Sequence, residues 1–166
     1  DVALDDCMRG RKVLHVDTEH TAERVRQYYK EVFHDLAKGM GLENRDTVHL
    51  EIERNRMIHS FLGGSFHLDR LRQALGYMKD HIDFVPSCII LAGFPAWEEL
   101  SEDEITESLK EIKKMVMEAK TEIWLSAQAY DRVLSLASPF SVSSAIVYPF
   151  PDGVYHKVFR HPDHLL

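Results

Sequence analysis

No apolar run in these 166 residues approaches the ~20 that a membrane-spanning helix needs. The opening stretch "DVALDDCMRG" is acidic and has no apolar h-region, so it does not read as a signal peptide. Cysteine is scarce: Cys7 and Cys88 are the two in the chain, far apart and each among apolar neighbours. Reduced, buried thiols in a cytoplasmic protein fit that pattern better than a disulfide framework. Positive charge is in deficit, with 20 Lys and Arg against 27 Asp and Glu for a net charge of -7. The basic residues are scattered or interleaved with acids, which argues against nucleic acid as a partner, because that footprint needs clustered cations to displace counterions from phosphates. Internal repeats and low-complexity tracts are missing too.

An apolar content of 45% is enough for a real core, and the length reads as one domain over residues 1–166. Strand and helix patterns alternate along it. Residues 12–17 form a short apolar strand, and Thr21 is placed to N-cap the helix after it. That helix carries Ala22, Val25, Tyr29, Val32, Phe33 and Leu36 on one face, and Gly39 ends it. "DTVHLEIER" alternates, with Val48, Leu50 and Ile52 on one side, and predicts a half-exposed strand. "NRMIHSFLGGSF" reads as strand and then loop around Gly63 and Gly64. A helix from about His67 to His81 follows, striped by Leu68, Leu71, Leu75 and Met78.

"SCIILAGFP" is the most apolar strand pattern, and its continuous run predicts a central parallel strand covered on both faces. Ser101 with Glu104 makes a capping box before a helix striped by Ile105, Leu109, Ile112 and Val116. "TEIWLSAQ" is a second central strand, and "RVLSLAS" is a short apolar segment stopped by Pro139. "SAIVYPF" and "VYHKVFR", joined across "PDG", predict a terminal hairpin. The expected fold is therefore α/β: three layers, a mainly parallel sheet flanked by helices, and a C-terminal β-hairpin.

The site candidates gather where the first strand hands over to its helix. "KVLHVDTEHT" places Asp17, Glu19, His15 and His20 at the carboxyl end of a strand, and in open α/β sheets ligands bind in the crevice at that edge. Asp17 suits an orienting or capping role. Glu19 reads either as a catalytic carboxylate or as a first-turn acid favoured by the helix dipole. Gln128 ends an apolar strand at the same edge, where it suits ligand sensing or a loop-stabilising hydrogen bond. His15 also alternates into the strand as a core residue, and the histidines show no H-E-x-x-H or comparable spacing, so no metal ligand is assigned.

On these residues the chain resembles the RecA-like P-loop ATPases, including the KaiC-like proteins. "VLHVDTEHT" resembles the core strand that ends in Asp-x-Glu, "CIILA" the Walker B strand, "EIWLSAQ" the next strand with its polar sensor, and "SSAIVYPFPDGVYHKVFRH" the closing hairpin. The resemblance implies ATP and Mg as cofactors, Glu19 polarising the attacking water, and Gln128 with Asp17 on the nucleotide side. Two departures qualify it. The phosphate-cradling G-x-x-x-x-G-K-[ST] is absent, and "ALDDCMRG" looks like the end of the helix that normally follows that loop, with Gly10 as its C-cap. The chain thus reads as a fragment missing an N-terminal phosphate-loop unit. The Walker B acid is also missing, since Ala92 follows "CIIL", and Mg²⁺ relies on one or two carboxylates plus phosphates.

The expected function is that of a nucleotide-binding ATPase-type domain of a signalling or regulatory protein, inactive as this chain stands. Its partner is another protein or a second copy. The alternatives are a non-catalytic interaction module on the same fold, or a metal-dependent hydrolase using His15, Asp17, Glu19 and His20. Without its phosphate-loop strand such a sheet would leave an open edge, to be covered by a second chain, by "TVHLEIER" or by the terminal hairpin.

Overall fold

A computed structural model describes residues 2–94, 101–129, 145–149 and 155–159, with the side chains of 102, 127–129, 145–149 and 155–159 outside that description. Five helices and six strands follow in the order α1 Val2–Met8, β1 Val13–Asp17, α2 Ala22–Gly39, α3 Arg45–Asn55, β2 Arg56–Ser60, α4 Leu68–Ile82, β3 Cys88–Ala92, α5 Glu102–Ala119, β4 Glu122–Ala129, β5 Ala145–Pro149 and β6 Tyr155–Phe159. The segment "RVLSLAS" and the "PDG" turn lie outside the described residues.

The strands form one sheet in the order β2-β1-β3-β4-β6-β5. The first four are parallel, and β6 pairs antiparallel with both β4 and β5. The α/β fold with a mainly parallel sheet and a terminal hairpin is therefore as expected. Alternate residues of the parallel strands feed two cores. Leu14, Val16, Ile89, Leu91, Ile123 and Leu125 pack with residues of α4 and α5. Val13, Cys88, Ile90 and Trp124 pack with residues of α1, α2 and α3. Helices thus cover both faces, which explains why β3 is apolar without alternation. Cys7 and Cys88 are free thiols buried in the second core, and burial pushes Cys7 up to about 11.

Local signals are met at several helix ends. The Thr21 hydroxyl accepts the Arg24 amide at 3.2 Å, and Ser101 and Glu104 complete a reciprocal capping box. Gly10 ends α1 with φ 79° while the Arg11 amide reaches back to the Asp6 carbonyl at 2.9 Å. Gly39 is the last residue of α2, but the turn that stops the helix is made at Gly41 (φ 62°), with the Leu42 amide on the Ala37 carbonyl at 3.0 Å.

One expected strand is a helix. "DTVHLEIER" lies within α3, where Val48 and Ile52 face the core one turn apart and Leu50, at 69% exposure, faces solvent. The alternation was accidental: Leu50, Glu51, Glu53 and Arg54 are helix formers, and Val48 and Ile52 serve a four-residue spacing equally well. The pairing beside β4 falls to the hairpin, through β6, and not to "TVHLEIER".

Candidate functional site

β1 runs between β2 and β3, with Asp17 in register with Ser60 on one side and Ala92 on the other. The helix after β1 lies on one face and the helix after β3 on the other, which makes the carboxyl ends of β1 and β3 a topological switch point. The chain turns there on its own polar atoms. Asp17 Oδ1 accepts the amides of Glu19 at 2.8 Å and His20 at 2.7 Å. The Thr18 hydroxyl donates to the Gly93 carbonyl at 2.8 Å. Gly93 has φ 75°, and a Cβ on it would lie 2.5 Å from Thr18 Oγ1 and 2.9 Å from Glu19 Cγ. A glycine is required here for both conformation and space.

Beside this turn opens a cleft of about 520 Å³, lined by Asp17 and His15 of β1, His20 of the turn, Arg24 and Tyr28 at the start of α2, Ile90 and Ala92 of β3, Trp124 and Ser126 of β4, and Val2 and Ala3 of α1. Four polar groups form a row inside it. The Tyr29 hydroxyl and His15 Nδ1 share a 2.8 Å hydrogen bond. His15 Nε2 faces Asp17 Oδ2 at 3.8 Å, beyond hydrogen-bond length, and is buried without a partner. His20 Nδ1 approaches Asp17 Oδ1 at 3.3 Å.

Burial by itself would raise the Asp17 carboxyl, but the His15 ring beside it, the two loop amides and the His20 ring outweigh burial and hold it down at about 2. Asp17 is therefore an anion at neutral pH. Burial pushes the Tyr29 phenol well above its usual range, despite the Arg56 guanidinium 4.3 Å from its ring centroid. The phenol keeps its proton, and the tautomer of the His15 ring sets which of the two groups donates in their hydrogen bond. The cleft also holds one permanent cation among its described residues, Arg24.

The sequence-derived candidates separate in space. Asp17 is the centre of the site, buried and in the cleft. Glu19 is on the same edge, its side chain against Gly93 just past β3, but it is exposed and lies outside the residues lining the cleft. Gln128 lies two residues past Ser126 on β4, which puts its backbone at the same edge, while its side chain is outside the described residues. Arg24, Tyr28, Tyr29 and Trp124 were not singled out as site residues. For the first two the usable signal was their own spacing of four within α2, which puts Arg24 and Tyr28 on one stripe. Among the described residues, no group of three or more His, Cys, Asp or Glu side chains is arranged to hold a metal ion. None of the described helices is long and apolar enough to cross a membrane.

No protein-family model matches the chain, and no curated protein matches it. Among solved structures it is similar to an uncharacterized protein from Listeria monocytogenes serotype 4b, at 10% identity and TM-score 0.40, over 99% of this chain and 68% of that one.

Proposed function

We propose that this chain is a RecA-like domain that binds a small ligand in the cleft at the carboxyl ends of β1, β3 and β4 and does not hydrolyse ATP with its own residues. The observation that carries this reading is the register of β1 and β3, which sets Ala92 opposite Asp17. The position where the family carries its metal-directing acid is thus a methyl group. The residues present do not fit ATP with Mg in other respects: the described residues of the lining include no lysine, and the loop amides of Glu19 and His20 already bind Asp17. What supports ligand binding is the cleft itself, with a central ionised carboxylate at a switch point. An interaction module working on protein partners is the matching role for such a domain. The test is phosphate release from Mg·ATP by the purified chain: no turnover above buffer is expected, and steady turnover would overturn the reading.

A second reading is favoured by Glu19, which lies on the ligand edge against Gly93 at the end of β3. Where a phosphate loop is supplied from outside these residues, Glu19 would activate the attacking water. In that longer protein Glu19→Gln would remove most turnover and leave nucleotide affinity nearly intact, since a water-activating carboxylate acts in the transition state. Equal turnover by variant and parent would eliminate it.

A further inference from the structure

We infer that the cleft is a site for a nucleoside monophosphate, bound without a divalent cation; this rests on the reading of the cleft as a ligand site and names its ligand. Three different chemistries meet in one space of about 520 Å³, within the ~300–1,000 Å³ usual for small-molecule sites. The first is a hydrogen-bond acceptor. Asp17 uses Oδ1 for the Glu19 and His20 amides, and Oδ2 takes no hydrogen bond from a described residue. An ionised carboxylate at the end of a β-strand is suited to accept from the paired hydroxyls of a ribose.

The second is a cation. Arg24 lines the cleft, is exposed, and makes no side-chain hydrogen bond or ion pair with a described residue, whereas Arg26 on the same helix is paired with Glu23 at 2.9 Å. A free guanidinium presents the planar fork that matches a phosphate, and it stands in the first turn of α2, where the helix dipole also favours an anion. The third is an aromatic and apolar wall. Tyr28 is 57% exposed yet faces the cleft, and Trp124 and Ile90 line it as well. A flat base is the ligand part that such side chains cover by stacking.

A ligand with only one of these features would leave the others unused. A free phosphate ignores the wall and meets the Asp17 charge, and a neutral nucleoside ignores Arg24. A triphosphate adds charge that the described lining, where Arg24 is the single permanent cation, does not balance. One phosphate, one ribose and one base match the three.

The experiment is calorimetric titration of the full chain with AMP, adenosine, ribose 5-phosphate and inorganic phosphate, in the presence of a chelator. AMP is expected to bind tightest of the four. Arg24→Ala, at an exposed position that does not threaten the fold, is expected to weaken AMP about tenfold. It should leave adenosine unchanged, while Arg26→Ala alters neither. Asp17→Asn should weaken AMP and adenosine alike. Adenosine binding as tightly as AMP, or AMP indifferent to Arg24→Ala, overturns the monophosphate assignment while the cleft remains a ligand site. No binding of any of the four overturns the assignment as well. Turnover of Mg·ATP would instead count against the non-hydrolytic reading, without touching the AMP result.

Discussion

Asp17 holds its place through neighbours that all favour its charged form, and this makes its contribution to stability depend on pH. Its folded pKa is lowered from 3.8 to about 2, so the stabilisation is complete above the ordinary carboxylate range and is lost as pH falls through that interval. The amount is up to about 2 kcal/mol. Urea unfolding of the parent and Asp17→Asn should differ most near about pH 6, with the difference shrinking below about pH 4 and vanishing only below about pH 2; a constant difference would mean that the carboxylate is not held as described. Gly93 makes a second test at this scale. Its φ of 75° and the 2.5 Å approach of Thr18 Oγ1 to a would-be Cβ predict that Gly93→Ala is destabilising. The cost is about 1–3 kcal/mol, read as a lower urea midpoint; unchanged stability would show that the turn is looser than drawn. Asp17 was legible in sequence because a carboxylate after an apolar strand marks the ligand edge. Gly93 carried no comparable signal, since its need for glycine comes from Thr18 and Glu19, remote in sequence and brought over it by the register of β1 and β3.

At the scale of elements, the strands were legible wherever apolar runs were continuous, as in β1, β3 and β4, because burial on both faces leaves no periodicity to misread. α3 was misread for the opposite reason: with Val48, Leu50 and Ile52 in alternation, the pattern alone could not show that Leu50 faces water. α1 is only seven residues long and is too short to hold itself. Its place depends on Arg11, which pairs with Asp6 of α1 at 2.9 Å and with Glu122 of β4 at 3.1 Å. Both carboxylates are buried, at 5% and 3% exposure. Arg11→Ala would leave two buried acids without that cation and should cost about 3 kcal/mol at neutral pH. Burial raises the Asp6 carboxyl even with Arg11 beside it, so a folded state that takes up a proton more readily gains as pH falls. The penalty should therefore shrink in acid. A penalty that grows in acid would contradict this account of the tether.

At the scale of the whole molecule, the sheet has two unlike edges and two unlike ends. β2 has a single strand neighbour among the described residues, while β4 is covered by the hairpin through β6. The Arg11 network and the backbone links of Lys12, Ser87 and Glu122 tie the amino ends of the parallel strands together. The carboxyl ends instead open into the cleft, a division that parallel strands with helices on both faces produce by construction. Fold class was legible from alternation alone, whereas the composition of the cleft was not, because Arg24 and Tyr28 of α2 meet Trp124 of β4 only after the two elements pack. The most direct measurement is chemical-shift mapping by NMR with AMP as the probe. The account predicts that shifts concentrate at the Glu19 and His20 amides, along the first two turns of α2, at Ile90–Ala92 and at the Trp124 indole. Shifts gathered instead around Arg11, Ser87 and Glu122, at the opposite ends of the strands, would contradict it.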